Sequence, residues 1–150
     1  MQIRSYERDI DEASVLAVFD LTFPVSHSFL ERHEQNEGRQ YLKLVLGHAE
    51  TLISELDGAV IGFITVDDKG YISALYVSRT SVGFGSALLQ AAEGRHQRFG
   101  LHVFADNIFA LQFYKARGFA VVDEDTQIDS LGRRHRRYAM ERANGSIAYR

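Results

Sequence analysis

Hydrophobic and polar positions follow two different spacings in the first third of the chain. Gln2–Tyr6 alternates in the manner of a short strand, whereas apolar residues from Asp9 onward recur at helical spacing. Because proline lacks the amide hydrogen that a helix interior requires, we predict that this first helix ends at Pro24. Ser26 is then placed to cap a second helical segment, either one broken helix or two short ones, that extends through Leu46.

The middle of the chain changes to alternating and β-branched patterns. Thr51–Leu56 and Ala59–Val66 are typical of strands, and Asp57-Gly58 between them favours a type I′ hairpin turn. A third strand is predicted over Tyr71–Val77. Helical spacing then returns over Gly85–Phe99.

The last third contains a further strand, a helix and two more strands. Gly100 is placed to cap the preceding helix, and a short strand follows over Leu101–Ala105. Asn107–Arg117 has the pattern of a second amphipathic helix. Phe119–Ile128 and Arg134–Glu141 are predicted as the final strands.

This order of elements predicts an α/β (α+β) fold. Three consecutive strands precede two strand-helix units, which indicates a mixed, mostly antiparallel sheet of six to seven strands with helices on both faces. We expect residues 1–150 to form one domain, with 143–150 as a frayed tail.

Composition and charge exclude several classes of function. The 150 residues are 45% hydrophobic and 25% charged, which is typical of a domain with a packed core. A net charge of −3 argues against a mainly electrostatic partner, so neither nucleic acid nor a membrane is expected. The absence of cysteine excludes disulfides, thiolate zinc sites and cysteine nucleophiles, and the six scattered histidines suggest no metal site. Without a signal-peptide core or a long apolar run, a cytoplasmic protein is expected.

A glycine-bearing loop lies between the third strand and the next helix. In Gly83-Phe84-Gly85, backbone amides and the positive end of the helix favour binding of an anion such as a pyrophosphate. A tight turn with nothing bound is the alternative. The loop lacks the Gly-Lys-Ser/Thr of a Walker motif, and Leu88 stands where a dinucleotide fingerprint needs a small residue.

Asn107 and Tyr114 form a second candidate feature. They are seven residues apart, two helical turns, so both side chains lie on roughly the same face of the predicted helix. They can line one groove as an amide and a hydroxyl. Alternatively, Asn107 is only a helix cap and Tyr114 only a core residue.

Three segments together resemble the GCN5-related N-acetyltransferase (GNAT) superfamily, and the region His27-Ser28-Phe29-Leu30 and the Asp129-x-x-Gly132 hairpin further resemble its small bacterial members. The three segments are Leu75-Tyr76-Val77, the Gly83-Phe84-Gly85 loop, and Asn107-x-x-Ala110-x-x-Phe113-Tyr114-x-x-x-Gly118-Phe119. The resemblance is sharpest from Tyr71 to Phe119. It implies a sheet that is splayed between the fourth and fifth strands, where acetyl-CoA, the acetyl donor, inserts.

The resemblance also implies roles for individual residues. Main-chain groups of Leu75 and Val77 would bind the pantetheine arm and the acetyl carbonyl. Asn107 would contact the cofactor near the thioester, and Tyr114 would protonate the departing thiolate, because a tyrosine carries its proton at neutral pH. The implied cofactor-binding residues are Leu75, Tyr76, Val77, Val82, Gly83, Phe84, Gly85, Ser86, Asn107 and Tyr114.

The loop departs from the family pattern at its start. Thr80 stands where relatives carry Arg or Gln, with Arg79 one residue earlier, and Ser81 replaces a common glycine. Binding of the cofactor's pyrophosphate is therefore expected to be weaker than in relatives, or to depend on Arg79.

The sequence does not identify a general base. Many relatives carry an acidic residue on the strand that here contains Tyr71 and Ser73. A lysine-like amine with a pKa of about 10.4 is almost entirely protonated at neutral pH, whereas an α-amine near pKa 8 is not, so the missing carboxylate favours a weakly basic acceptor. His27 and Glu31 share a helix face if Ser26 is a cap, and join Tyr114 as candidate catalytic residues, although an exposed helix face is the alternative. His135, acting through water, is a further candidate base.

The densest positive cluster is Arg133-Arg134-His135-Arg136-Arg137. On a strand, Arg134 and Arg136 face one side and the other three residues face the opposite side. A charged edge strand is one interpretation, and contact with an anionic acceptor or the cofactor's phosphates is another.

The sequence therefore predicts an acetyl-CoA-dependent N-acetyltransferase that moves an acetyl group directly to an amine of a small molecule, peptide or protein. A non-catalytic acyl-CoA-binding sensor is the alternative. The chain is expected to act as a monomer or homodimer.

Overall fold

The computed structural model of the protein describes residues 1–78 and 83–144. Within these residues, seven strands and four helices occur in the predicted order. The elements are β1 (Gln2–Ser5), α1 (Arg8–Ser26), α2 (Arg32–Val45), β2 (Glu50–Leu56), β3 (Ala59–Val66), β4 (Ile72–Val77), α3 (Phe84–Glu93), β5 (Arg98–Phe104), α4 (Ile108–Ala116), β6 (Ala120–Ile128) and β7 (Arg134–Ala143).

The strands form two antiparallel sheets, ordered β1-β2-β3-β4 and β5-β7-β6. One parallel bridge, between Tyr71 and Gly100, joins the start of β4 to β5. Gly70 permits this approach, because its φ is +84° and a Cβ there would collide with the carbonyl oxygen of Arg98. In the pairing of β4 with β3, Ser73 has no partner and forms a β-bulge. Beyond this bulge, β4 and β5 separate. The predicted splay between the fourth and fifth strands is confirmed.

Hydrophobic side chains of the larger sheet divide between two clusters, one on each face. Ile53 and Phe63 pack against α1 and α2. Leu52 and Ile64, one position along each strand, pack against α3 and the second sheet. Because successive strand residues face opposite sides, this alternation buries both faces of the sheet and confirms the predicted helices on both.

The first helix differs from the prediction at its C-terminal end. It continues through Pro24 to Ser26, because a proline in the last turn removes only one backbone hydrogen bond and the neighbouring Phe23 is buried in the core. Ser26 is therefore the last residue of α1 and not a cap, and its hydroxyl donates back to the carbonyl of Thr22 at 3.3 Å. The second segment is one unbroken helix that begins after Glu31.

The predicted boundary between α3 and β5 is also wrong. The helix ends at Glu93, and Gly100 lies within β5 instead of capping the helix. Phe99, Leu101 and Val103 are buried on alternate positions of β5. The strand's period of two therefore begins before Leu101, inside the segment that helical spacing alone assigns to the helix.

The C-terminal strand differs from the prediction in two ways. β7 lies between β5 and β6, so the arginine-rich segment is a central strand and not a charged edge. The predicted frayed tail begins too early, because Ala143 ends β7 and the Asn144 side chain donates to the carbonyl of His96 at 2.8 Å. Residues 145–150 lie outside the described residues. Among the described helices, none combines the length and apolar character required to cross a membrane.

Candidate active site

A cleft of about 540 Å³ opens where β4 and β5 separate. One wall consists of β4 and the ends of α1 and α2. The opposite wall consists of β5, the start of α4 and the hairpin between β6 and β7. The cleft therefore has contributions from both sheets, and the bridge between Tyr71 and Gly100 lies at its base.

The edge of β4 that faces this cleft carries unused main-chain groups. Ser78 donates its N–H to the carbonyl of Ile61, and hydrogen-bonded pairs alternate along an antiparallel ladder. Tyr76 therefore directs its N–H and C=O toward β3. Leu75 and Val77 direct theirs toward the open edge. Both residues can offer a row of backbone donors and acceptors to a ligand in the cleft.

The N-terminus of α3 offers a second group of free amides. Gly83 precedes the helix with a φ of +77°, and a Cβ at this position would meet nothing within 4 Å. The N–H groups of Phe84, Gly85 and Ser86 occupy the first turn, where a helix supplies no acceptor, and no described residue accepts from them. A Cβ added at Gly85 would lie 3.8 Å from a methyl of Val77, so this turn adjoins the end of β4. Val82 lies outside the described residues.

Asn107 and Tyr114 both line the cleft from α4. The Asn107 carbonyl oxygen accepts from the N–H of Ala110 at 3.3 Å, which confirms it as the helix cap. Its side-chain nitrogen, Nδ2, makes no hydrogen bond to a described residue. Tyr114 is 8% exposed, and its hydroxyl also makes no hydrogen bond within the described residues. Burial, assisted by the neighbouring Tyr76, raises the pKa of Tyr114 above its usual value near 10, so the phenol keeps its proton.

His27 and Glu31 do not share a helix, because His27 follows α1 and Glu31 precedes α2. The predicted i,i+4 arrangement is therefore wrong. The His27 ring lines the cleft, stacks on Phe23 at a centroid distance of 4.2 Å, and has Nδ1 2.7 Å from the Ser26 hydroxyl. Burial lowers the pKa of His27 to about 4. Glu31 is not part of the cleft lining and forms an exposed ion pair with Arg133 at 3.0 Å.

The hairpin between β6 and β7 contributes polar groups whose grouping the sequence did not reveal. The carboxylate of Asp129 is 1% exposed and lies 2.7 Å from Nε2 of His135, and both residues line the cleft. Glu34 of α2 accepts from the N–H and hydroxyl of Ser130, and its second oxygen is buried without a partner among the described residues. The Asp129-x-x-Gly132 pattern indicated a turn, but not these contacts.

The arginines of β7 are largely neutralised by the neighbouring strand. Arg136 pairs with Glu124 and Arg137 with Asp125, at 3.0 and 2.8 Å. The predicted division of faces is confirmed within β7, since Arg137 lines the cleft together with His135 whereas Arg136 is exposed; Arg133 precedes the strand and does not line the cleft. Two of the four arginines of the cluster therefore form cross-strand ion pairs with β6.

These features agree with comparisons to known proteins. A family model described as "Acetyltransferase (GNAT) domain" matches residues 8–141. The chain belongs to this family of acetyltransferases.

Individual relatives agree with this assignment. The chain is 34% identical over 89 residues to peptidyl-lysine N-acetyltransferase YiaC of Escherichia coli (strain K12), a match that spans 55% of this chain and 61% of that protein. The apo solution structure of YjaB from Escherichia coli matches 93% of this chain and 95% of its own, with a TM-score of 0.77 and 20% identity. A candidate streptothricin acetyltransferase from Bacillus anthracis str. Ames, solved in complex with acetyl coenzyme A, has a TM-score of 0.58 and 21% identity, and the match covers 64% of this chain and 62% of that one.

Proposed function

We propose that this protein transfers an acetyl group from acetyl-CoA directly to an amine. The observation that carries the proposal is the convergence of two sets of unused backbone groups, on β4 and at the start of α3, beside a tyrosine hydroxyl that has no described partner. Membership of the GNAT family supports acetyl-CoA as the donor.

The open edge of β4 suits the pantetheine arm, which contains amides that pair with backbone groups as a strand does. In this proposal, Leu75 and Val77 supply these contacts through their main chains. Tyr76 contributes its side chain only, because its main-chain groups are engaged with β3. Asn107 offers its free amide nitrogen near the thioester.

The first turn of α3 suits the pyrophosphate. The amides of Gly83, Phe84, Gly85 and Ser86 are available at the positive end of the helix. The open space around Gly83 leaves room for a phosphate oxygen to approach the backbone. Val82 is proposed to take part from its position in the sequence alone.

Tyr114 is proposed as the general acid. As the amine nitrogen bonds to the acetyl carbon, the carbon–sulfur bond breaks and the sulfur takes the phenolic proton. A phenol whose pKa is raised by burial remains protonated at neutral pH and is a competent donor. Glu31 is exposed and engaged with Arg133, which favours a role in holding the β6–β7 hairpin.

The acceptor belongs to one of two classes that an experiment can separate. The Escherichia coli relative is named for peptidyl-lysine, which favours the lysine side chain of a peptide. The absence of a carboxylate at Tyr71 and Ser73 of this chain instead favours a less basic amine, such as an α-amine.

The test is release of CoA from acetyl-CoA with three acceptors: a peptide with a free α-amine and no lysine, an N-blocked peptide with one lysine, and a small primary amine. We expect turnover with at least one of them, and a loss of about 10²-fold in kcat for Tyr114→Phe. Tyr138→Phe, on β7 and outside the cleft lining, is the matched control and retains its rate. Binding of acetyl-CoA without turnover on any acceptor would favour a sensor over an enzyme.

A further inference from the structure

We propose that His135 is the general base that removes the proton from the acceptor amine, and that Asp129 positions it. This inference rests on the proposed transferase function. It assigns to the β6–β7 hairpin the task that a carboxylate is expected to perform in relatives, on the strand equivalent to β4.

The contacts of Asp129 fix the orientation and tautomer of His135. The carboxylate accepts from the backbone N–H groups of Leu131 and Arg133, from the Arg133 guanidinium at 2.9 Å, and from Nε2 of His135 at 2.7 Å. These donors hold the pKa of Asp129 well below its usual range, so the group is an ionised acceptor. Nε2 of His135 must therefore carry the hydrogen, which leaves the lone pair of the neutral ring on Nδ1.

Nδ1 of His135 is free to act within the described residues. It makes no hydrogen bond to any of them, and the ring lines the cleft beside the adjacent rings of Phe29 and Phe104, at centroid distances of 5.7 and 6.1 Å. His135 therefore borders the same cleft that Asn107 and Tyr114 line.

The other histidines of the cleft are less suited to this task. His27 has Nδ1 beside the Ser26 hydroxyl and a pKa lowered to about 4, so it is a weak base. His102 has Nδ1 2.8 Å from the hydroxyl of Tyr71. Of the three, only His135 has a carboxylate partner to stabilise the imidazolium that forms when it takes a proton.

The proton balance of the step is complete with these groups. The ammonium form of the acceptor first gives one proton to solvent, directly or by way of Nδ1 of His135, so that His135 is neutral when the neutral nitrogen attacks the acetyl carbon. The second proton, released as the amide forms, passes to His135 while Tyr114 gives its proton to the CoA sulfur. Transfer of the proton from His135 back to Tyr114 through water restores both groups.

Several charged or titratable groups lie around His135. Asp129 and Arg133 lie in its own hairpin, Arg137 lies two residues along the same face of β7, and Glu34 faces the hairpin from α2. The ring of His27, at the end of α1, also packs against Phe104. The fall in kcat at low pH, the acid limb of the pH–rate profile, must therefore be assigned to a residue by substitution and by direct titration of the His135 ring.

The experiment measures kcat and kcat/KM against pH for the unaltered protein, His135→Gln and Asp129→Asn, with the N-blocked lysine peptide and with a less basic amine. His33→Gln, an exposed histidine on α2, is the matched control. We expect His135→Gln to lower kcat about 10²-fold with the lysine peptide and by a smaller factor with the less basic amine. The substitution should also remove the fall in rate at low pH, the acid limb of the pH–rate profile. Asp129→Asn should lower kcat with little change in the KM for acetyl-CoA, and His33→Gln should change nothing.

The outcomes separate this inference from the proposed function. If the unaltered protein acetylates no amine, the proposed function fails. If it does so and His135→Gln keeps both rate and acid limb, only the assignment of His135 fails. Should the variants not fold, NMR titration of the His135 ring in the unaltered protein decides. A midpoint equal to that of the acid limb supports the proposal, and a different midpoint overturns it.

Discussion

Acidification should destabilise the fold through His27, starting at a pH above the range in which the carboxylates lose their contributions. Burial lowers the pKa of His27 from 6.5 to about 4. Between pH 6.5 and about 4, His27 is therefore protonated in the unfolded chain but neutral in the folded chain, and the free energy of unfolding decreases as the pH falls through this range. Each pKa unit corresponds to about 1.4 kcal/mol, so the full loss is about 3 kcal/mol, and about 2 kcal/mol of it appears between pH 7 and 4.5.

The assay is urea unfolding at pH 7.0, 6.0, 5.0 and 4.5, for the unaltered protein and for His27→Phe. The substitution keeps a ring against Phe23 but removes the titrating group. His102, whose pKa is also lowered, contributes in the same direction in both proteins, so the difference between them isolates His27. Asp11 and Asp129 have pKa values lowered from 3.8 and lose their contributions only at lower pH. An equal loss of stability in both proteins over this range would refute the reasoning.

Two substitutions elsewhere test what holds the framework of the cleft. Gly70→Ala should lower the free energy of unfolding by about 3 kcal/mol or more, because the added Cβ collides with the carbonyl of Arg98 and the φ of Gly70 is positive. Gly94→Ala, with open space around the added Cβ, is the control and should leave the free energy of unfolding unchanged. Denaturant midpoints compare the two variants, and equal midpoints would contradict the account of the bridge between the sheets. Arg4→Met should cost about 3 kcal/mol, because it leaves the Asp11 carboxylate, 2% exposed, without its two guanidinium hydrogen bonds. The loss should shrink in the double variant with Asp11→Asn, and a loss that simply adds would show that the two residues are not coupled.

The order of elements could be predicted because local signals agree with the final packing. Asp57 and Gly58 both adopt positive φ, at 52° and 80°, as the hairpin signal requires. The errors lie where tertiary contacts override local preference. Pro24 is tolerated because Phe23 is buried in the core, and Phe99 belongs to a strand because β7 pairs with it.

The candidate site could be predicted only where residues are close in sequence. Asn107 and Tyr114 lie two turns apart on one helix, and both line the cleft as expected. The pairing of Asp129 with His135 depends on the register of the β6–β7 hairpin, in which Gln127 lies opposite His135. Neither spacing nor residue type alone indicates that register.

The most direct test of the central claim is a titration of the isotopically labelled protein with acetyl-CoA, followed through its backbone amide NMR signals. The account predicts that the signals of Leu75, Val77 and Gly83–Ser86 shift together with one saturation curve, while that of Thr65, on β3 and away from the open edge of β4, moves little. Saturating acetyl-CoA that leaves the signals of Leu75, Val77 and Gly83–Ser86 unchanged would contradict the claim that these backbone groups hold the acetyl donor.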